Sequence, residues 1–135
     1  MDYVNRQGES NPDGPAILMP DGSYLTYKQL ANHIDKGSRY LCRHGLGNHK
    51  RIAVIMPNGP EMVVAFYAIS NIATYVPLNP SFPGEELKNY LEIIGVDAVM
   101  LKEETFLSAN PAALALPVIT MRPGVAPILP DTVLT

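Results

Sequence analysis

The sequence has little of three features that would direct it toward particular functions: cysteine, excess positive charge and long apolar runs. Cys42 is the only cysteine among 135 residues, which excludes an internal disulfide framework and a thiolate-rich metal site. Lys and Arg number 10 against 13 Asp and Glu, so the net charge is −3 and the basic surface that binds nucleic-acid phosphates is not predicted. We therefore expect no nucleic-acid partner.

A membrane span and a secretory leader are also not predicted. The longest apolar run, residues 62–69, is far shorter than the roughly 20 residues that cross a bilayer. Residues 1–14 carry charged side chains and have no apolar centre, unlike a signal peptide. The expectation is a cytoplasmic protein without a membrane partner, and 135 residues that are 47% hydrophobic are enough for one compact domain.

The first third of the sequence predicts a hairpin followed by an amphipathic helix. Residues 16–19 and 24–25 are short strand candidates on either side of a Pro-Asp-Gly-Ser turn. Thr26 and Gln29 have the spacing of a helix capping box, and Gly45 is placed to end the helix. The apolar residues that recur at helical spacing between them are Tyr27, Leu30, Ala31, Ile34 and Leu41.

The middle of the sequence predicts a strand, a buried helix and a second strand. Residues 52–56 are continuously apolar, which is typical of a parallel strand covered on both faces. Asn58, Pro60 and Glu61 favour a helix start, with Asn58 as its cap. Residues 62–69 are apolar on every side and predict a helix buried on all sides, and residues 74–78 return as a strand.

The same pattern repeats once more along the chain. Glu85 and Glu86 suit the first turn of a helix that Gly95 ends, and residues 98–101 form the next strand candidate. One face of this helix carries Leu87, Tyr90, Leu91 and Ile94. Two successive strand-helix-strand units predict an α/β fold whose sheet is mostly parallel, with right-handed crossovers and an N-terminal hairpin.

The C-terminal part is broken by prolines but remains apolar. We expect residues 1–110 to form the α/β subdomain, and residues 111–135 to be a Pro-rich apolar tail of the same subdomain. Residues 118–121 allow one more strand in this tail.

Several segments together resemble the N-terminal part of the AMP-forming (adenylating) ligases, the superfamily of acyl-CoA synthetases, luciferases and peptide-synthetase adenylation domains. Leu-Thr-Tyr-Lys-Gln-Leu at residues 25–30 is similar to the first core motif of the family. The family's second block resembles Pro-Asn-Gly-Pro-Glu at 57–61 and Tyr-Val-Pro-Leu-Asn-Pro at 75–80. The entry segment at 11–17 and the residues 86–91 match in order as well. Together, these segments in register over about ninety residues form a specific signal.

The resemblance also has departures. Where the family has Ala-Gly at the end of the buried helix, this chain has Asn71-Ile72, and a left-handed Asn71 is expected to replace the glycine. Asn79 and Glu86 lean toward the acyl-CoA synthetase branch.

The resemblance implies an ATP-dependent ligase that activates a carboxylic acid as an acyl-adenylate and then forms a thioester. ATP, Mg²⁺ and CoA or a phosphopantetheine carrier are implied for the full-length parent, and none is expected to bind this chain. The family's phosphate loop, ribose-binding acid and catalytic lysine have no counterpart here. We therefore predict no catalytic residue and no metal ligand, leave cofactor-binding residues unknown, and expect the chain to be a scaffolding fragment that is inactive alone.

The expected partners are the remainder of the ligase, with its missing core and C-terminal domain, and a carrier protein. Self-association through exposed apolar surface is also expected. Two rival functions stay open: a non-enzymatic truncated homologue that acts as an interaction module, and an unrelated flavodoxin-like binding domain. The latter would bind its ligand beyond Met56, Leu78 and Leu101, where no glycine-rich loop occurs.

A few further segments allow both a functional and a structural interpretation. Gly45-Leu46-Gly47 is interpreted as a helix end rather than a phosphate loop. The basic cluster at Arg39, Arg43, His44, His49, Lys50 and Arg51 offers CoA phosphates or an acidic carrier a surface, but its first three members also complement a helix end, with the others solvated in a loop.

The remaining candidates receive structural interpretations. His33, His44 and His49 are predicted at the surface and not as a zinc site. Cys42 is predicted to be a small buried thiol rather than a nucleophile. Glu85 and Glu86 are explained by their helix position, and Tyr75 and Tyr90 by core packing rather than adenine stacking.

Overall fold

A computed structural model describes residues 2–102 and 115–121. The described helices are α1 (Asp2–Ser10), α2 (Tyr27–Arg43), α3 (Pro60–Ser70) and α4 (Gly84–Ile94). The described strands are β1 (Pro15–Leu18), β2 (Tyr24–Thr26), β3 (Arg51–Ile55), β4 (Thr74–Leu78), β5 (Ala98–Lys102) and β6 (Val118–Met121).

The hairpin and the start of α2 form as the sequence predicts. β1 and β2 pair antiparallel, and Gly22 takes a φ of +88° in the turn between them. The backbone N–H of Gln29 donates to Thr26 Oγ1 at 3.1 Å, while the N–H of Thr26 donates to Gln29 Oε1 at 2.9 Å. This reciprocal pair is a capping box, which satisfies two helix-end donors and directs the chain from the hairpin into α2.

The main sheet is parallel throughout its described strands, in the order β4-β3-β5-β6. β3 is an inner strand with helices over both faces. Ile52, Val54 and Met56 face the core layer that contains α2 and α3, whereas Ala53 and Ile55 face the layer that contains α4. The predicted α/β class, with a parallel sheet and an N-terminal hairpin, is confirmed.

Two helices end on glycines that take the left-handed conformation. Gly45 follows α2 with φ +73°, and Gly95 follows α4 with φ +69°. The guanidinium of Arg51 donates from Nη1 to the carbonyl oxygen of Ile94 at 2.6 Å, so it neutralises the negative end of α4. Arg51 is exposed, as predicted, but the prediction that it lies in a loop was wrong, because it is the first residue of β3.

The ends of α3 differ from the predicted ones. Its N-cap is Gly59, without a side-chain cap, so the prediction of Asn58 as the cap was wrong. Pro60 takes the first helical position as expected. Asn71 has φ −66° and ψ −29°, and is therefore not left-handed. The helical turn instead runs on, because the N–H of Ala73 donates to the carbonyl of Ile69 at 2.7 Å.

Only some of the apolar residues 62–69 are buried. Val64, Ala65, Ala68 and Ile69 are buried against α2 and the sheet. Phe66 remains 44% exposed, so the prediction of a helix buried on every side was wrong at that position. Helix α3 thus presents one aromatic side chain outward.

Helix α1 is an element that the sequence pattern did not predict. Val4 is its buried apolar residue, and Gly8 lets its backbone approach Ala31 of α2, since an added Cβ would lie 3.4 Å from the Ala31 Cβ. The helix therefore covers the outer side of α2 with little apolar area of its own.

Strand β6 lies where the sequence allows a further strand, and it pairs with β5 in parallel. The predicted division into residues 1–110 and a tail of 111–135 stays a prediction, because much of that tail lies outside the described residues.

Candidate functional site

A crevice opens beyond the carboxyl ends of β3 and β4. These two strands are neighbours, but the helices that follow them pack on opposite faces of the sheet, α3 on one and α4 on the other. The two connections therefore diverge. In the order β4-β3-β5-β6 the strand order reverses between β3 and β5, which is where open α/β sheets bind ligands, so the crevice lies beside that point and shares the end of β3 with it. The crevice has a volume of about 510 Å³ and is lined by Met56, Pro57, Asn58, Met62, Pro77, Leu78, Asn79 and Pro80.

The chemistry of this crevice is uncharged. Its lining combines prolines, thioethers and Leu78 with the amides of Asn58 and Asn79, and none of the eight residues is ionisable. The Asn79 Oδ1 is occupied, because it accepts the backbone N–H of Ser81 at 2.9 Å. Such a surface can contact apolar or amide groups, but it offers no fixed cation to phosphate oxygens.

A buried ion pair lies beside the crevice, under the start of α3. Lys102 Nζ is 3.4 Å from Glu61 Oε1, with the two side chains 17% and 7% exposed. Sequence reasoning placed Glu61 at the helix start but missed its partner, which is forty-one positions away and meets it only because β5 lies next to β3. The two charges neutralise each other and so link α3 to β5.

The basic cluster predicted between residues 39 and 51 does not form a single surface. Arg39 Nε pairs with Asp35 Oδ2 at 3.0 Å on α2, and Lys50 Nζ lies 4.0 Å from Asp97 Oδ1. Arg51 contacts the end of α4, as described above. Gly45 ends α2, which confirms the structural interpretation of the Gly-Leu-Gly segment.

The three histidines have different environments. His44 is exposed, and its Nδ1 lies 2.8 Å from the carbonyl oxygen of Tyr40, so that nitrogen carries the proton. His49 is exposed as predicted. His33, however, is only 2% exposed, so the prediction that it lies at the surface was wrong. Burial, and then the charge of Lys36, lowers the pKa of His33 below its usual 6.5.

Cys42 also differs from the prediction. Its side chain is exposed rather than buried. It lies at a polar cleft of about 450 Å³ near the amino ends of β3 and β4, together with Gly45, Gly47, Asn48, Lys50, Asn71 and Ile72. The carboxyl end of α2 lies at this cleft.

Tyr75 and Tyr90, the two candidates for adenine stacking, lie in different parts of the structure. Tyr75 is half-buried at the edge of the core and meets Phe66 edge-on, with ring centroids 5.2 Å apart. Burial raises the pKa of its hydroxyl. Tyr90 is 38% exposed and rests on Phe82, so the prediction of core packing was wrong for Tyr90. Glu85 and Glu86 are exposed in the first turn of α4, as expected from their position.

Comparison with known proteins explains this arrangement. Residues 4–128 match the family model described as AMP-binding enzyme. The chain belongs to the AMP-binding enzyme family. The prediction of an adenylating-enzyme N-terminal fold is therefore confirmed.

The relatives of this AMP-binding family member include peptide synthases, and its fold matches several solved structures. It is 30% identical over 117 residues to a dimodular nonribosomal peptide synthase of Bacillus subtilis (strain 168), covering 86% of this chain and 5% of that protein. Its fold matches VinN in complex with 3-methylaspartate with a TM-score of 0.77 and 28% identity, over 88% of this chain and 33% of that one. It also matches the fold of apo MatB from Rhodopseudomonas palustris, with a TM-score of 0.73, 22% identity, and 89% and 25% coverage.

The chain covers only part of the length of these relatives. The chain spans about a third of the length of the VinN structure and a small share of the curated synthase. The curated relative reported above is a peptide synthase, so the leaning of Asn79 and Glu86 toward acyl-CoA synthetases gains no support from it.

No helix in residues 2–102 or 115–121 combines the length and the apolar character that crossing a bilayer requires.

Proposed function

We propose that this chain is the scaffolding N-terminal part of an adenylate-forming ligase, and that it is inactive by itself. The complete ligase would activate a carboxylic acid with ATP and Mg²⁺, release pyrophosphate, and pass the acyl group to the thiol of CoA or of a carrier arm. A cytoplasmic location, where ATP is abundant, belongs to the same proposal.

The observation that carries the proposal is the uncharged lining of the crevice. Attack of a carboxylate on a phosphate places negative charge on the phosphate oxygens, and enzymes stabilise that charge with fixed cations and N–H groups. The crevice lies beside the position where α/β sheets bind ligands, yet its eight lining residues include no Lys, Arg or His. The chain supplies the wall of a site rather than its reactive groups.

The described residues do not fit the cofactors that the family implies. Mg²⁺ prefers carboxylate oxygens, and nowhere in residues 2–102 and 115–121 do three His, Cys, Asp or Glu residues come together to hold a metal ion. Glu61, which precedes the crevice residue Met62, is already paired with Lys102. No step of the reaction is therefore derived for these residues.

The class of acid is proposed from the relatives. VinN was solved in complexes with L-aspartate and 3-methylaspartate, and the curated relative makes peptides. We propose an amino acid or a related small carboxylic acid as the substrate of the complete ligase, and a carrier protein as a partner.

The second candidate function is a non-enzymatic interaction module that keeps the fold of the family. The observation that favours it is the aromatic cluster of the exposed Phe66 with the half-buried Tyr67 and Tyr75, in which ring centroids are 5.1 and 5.2 Å apart. Under both candidates this surface is covered by protein, either the rest of the ligase or another chain.

Calorimetric titration of the purified chain with Mg-ATP tests the scaffold proposal. We expect no saturable heat up to millimolar nucleotide, because no cation lines the crevice. Saturable binding that an Asn58→Ala and Asn79→Ala double variant weakens would place a nucleotide site in the crevice, and the scaffold proposal would then be wrong.

A further inference from the structure

His33 is a buried titratable group that the proposed function does not use. Its side chain is 2% exposed on helix α2, and neither Nδ1 nor Nε2 has a hydrogen-bond partner. A neutral imidazole carries one donor and one acceptor, and buried polar groups without partners are rare in folded proteins. The site therefore holds the neutral ring at some cost and has no group ready to receive a second N–H.

The charges near His33 oppose its protonation. The elements with the most extensive contacts along α2 are α1, α3, β1 and β2, and β3, β5 and β6 meet it across the apolar core. The titratable residues of the first four elements, with those of α2 that lie nearest His33, are Asp2, Tyr3, Arg6, Glu9, Tyr24, Asp35, Lys36, Glu61 and Tyr67. Within the described residues, Lys36 is the charge that acts on His33, and it has the same sign as an imidazolium.

The carboxylates of α2 and α3 are engaged elsewhere. Asp35 pairs with Arg39, and Glu61 pairs with Lys102. A proton that reaches His33 from solvent would create a second buried N–H donor and a full positive charge, and no carboxylate among the described side chains acts on His33 to compensate it. Water can stabilise the charge of the protonated His33 ring, but water reaches the ring only if α2 separates from its neighbours.

We propose that His33 is a proton-sensitive device that opens helix α2 locally when its imidazole is protonated, while the parallel sheet stays folded. Helix α2 is a suitable moving part because it lies outside the sheet and carries α1 with it. The inference is independent of the ligase proposal, since it rests only on the packing of α2.

The direction of the pH dependence follows from the lowered pKa of His33. The closed form binds the proton more weakly than the open form, whose histidine has the usual value of 6.5. The closed form is thus fully favoured above 6.5, and it loses stability as the pH falls below 6.5 toward the lower pKa of the folded protein. Within that window the opening constant rises by up to about tenfold per pH unit.

Amide hydrogen exchange of the full chain, followed by NMR at about pH 7.5 and about pH 5.5 and corrected for intrinsic exchange rates, tests the proposal in the range where histidine titrates. We expect the opening constants of the Ile34 and Leu41 amides to rise severalfold at the lower pH, and those of Val54 and Met100 to stay unchanged.

Three variants make the test specific. The side chains introduced by His33→Gln and His33→Phe cannot gain a proton. In either variant that folds, the opening constants of the α2 amides should therefore no longer depend on pH. His44→Gln, which removes the exposed histidine that follows the last residue of α2, should keep the dependence of the wild type. The proposal is overturned if α2 opens equally at both pH values, if both His33 variants keep the dependence, or if the strands open together with α2.

Discussion

Lys102 Nζ lies 3.4 Å from Glu61 Oε1 in a largely buried ion pair that joins the end of β5 to the start of α3. Removal of one partner leaves the other charge buried and uncompensated, which is more costly than the loss of the pair itself. This relationship makes the pair a sensitive probe of whether the crevice wall and the sheet form one unit.

We expect Lys102→Met to lower the free energy of unfolding by about 3–5 kcal/mol, measured by urea denaturation. The double variant Glu61→Leu with Lys102→Met should recover most of that loss, because it removes both charges. Arg39→Met, which breaks an exposed pair, should cost less than about 1 kcal/mol. A Lys102→Met protein as stable as the wild type would show that the two charges do not interact in the folded chain.

The capping box predicts a smaller effect at the start of α2. Thr26→Ala removes the oxygen that accepts the N–H of Gln29 and should lower the free energy of unfolding by about 0.5–2 kcal/mol. Thr26→Ser keeps that oxygen and should remain close to the wild type. Equal losses for Ala and Ser in thermal or urea unfolding would argue against the cap as the cause.

The left-handed end of α4 gives a matched pair of glycine substitutions. Gly95 has φ +69°, and Arg51 Nη1 would lie 3.8 Å from an added Cβ, so the cost of Gly95→Ala comes from the backbone. We expect a loss of about 1–2 kcal/mol. Gly84→Ala in the first turn of the same helix meets nothing within 4 Å and should be neutral or slightly stabilising. A Gly84→Ala protein that is less stable than the Gly95→Ala protein would be inconsistent with the left-handed conformation of Gly95.

The sequence predicted those features whose causes are local. Thr26 and Gln29, Gly45 and Gly95, and the hairpin around Gly22 act within a few positions, so their residue types were sufficient. Helix α1 was missed because Val4 gives it only one buried apolar side chain. Its formation depends on a close approach to α2, which no local pattern records.

Errors at single residues arose where tertiary packing or helix geometry outweighed residue type. Free cysteines are often buried, yet Cys42 follows the buried Leu41 by one position and so points away from the core. His33 precedes Ile34 on the flank of the same buried face, and packing covers it although histidine is usually partly exposed. The crevice and the Glu61–Lys102 pair needed the order of the strands, which the sequence does not state.

The aromatic cluster around the exposed Phe66 should make the isolated chain self-associate. Phe66 is 44% exposed and contacts Tyr75. We expect light scattering to show a mass that rises with concentration, and Phe66→Glu to return it toward that of a monomer. Ile93→Glu is the control, because Ile93 is 80% exposed on α4 and lies outside the cluster. A wild-type chain that stays monomeric at high concentration would remove this expectation.

The measurement that tests the central claim most directly is ATP–pyrophosphate exchange by the purified 135-residue chain, with Mg²⁺ and a panel of amino acids and small carboxylic acids. The panel should include L-aspartate and 3-methylaspartate, and a complete adenylate-forming ligase should serve as the positive control. An inactive scaffold predicts exchange no faster than the background without enzyme for every acid. Exchange above that background with any acid would contradict it, because the chain would then carry adenylating groups of its own.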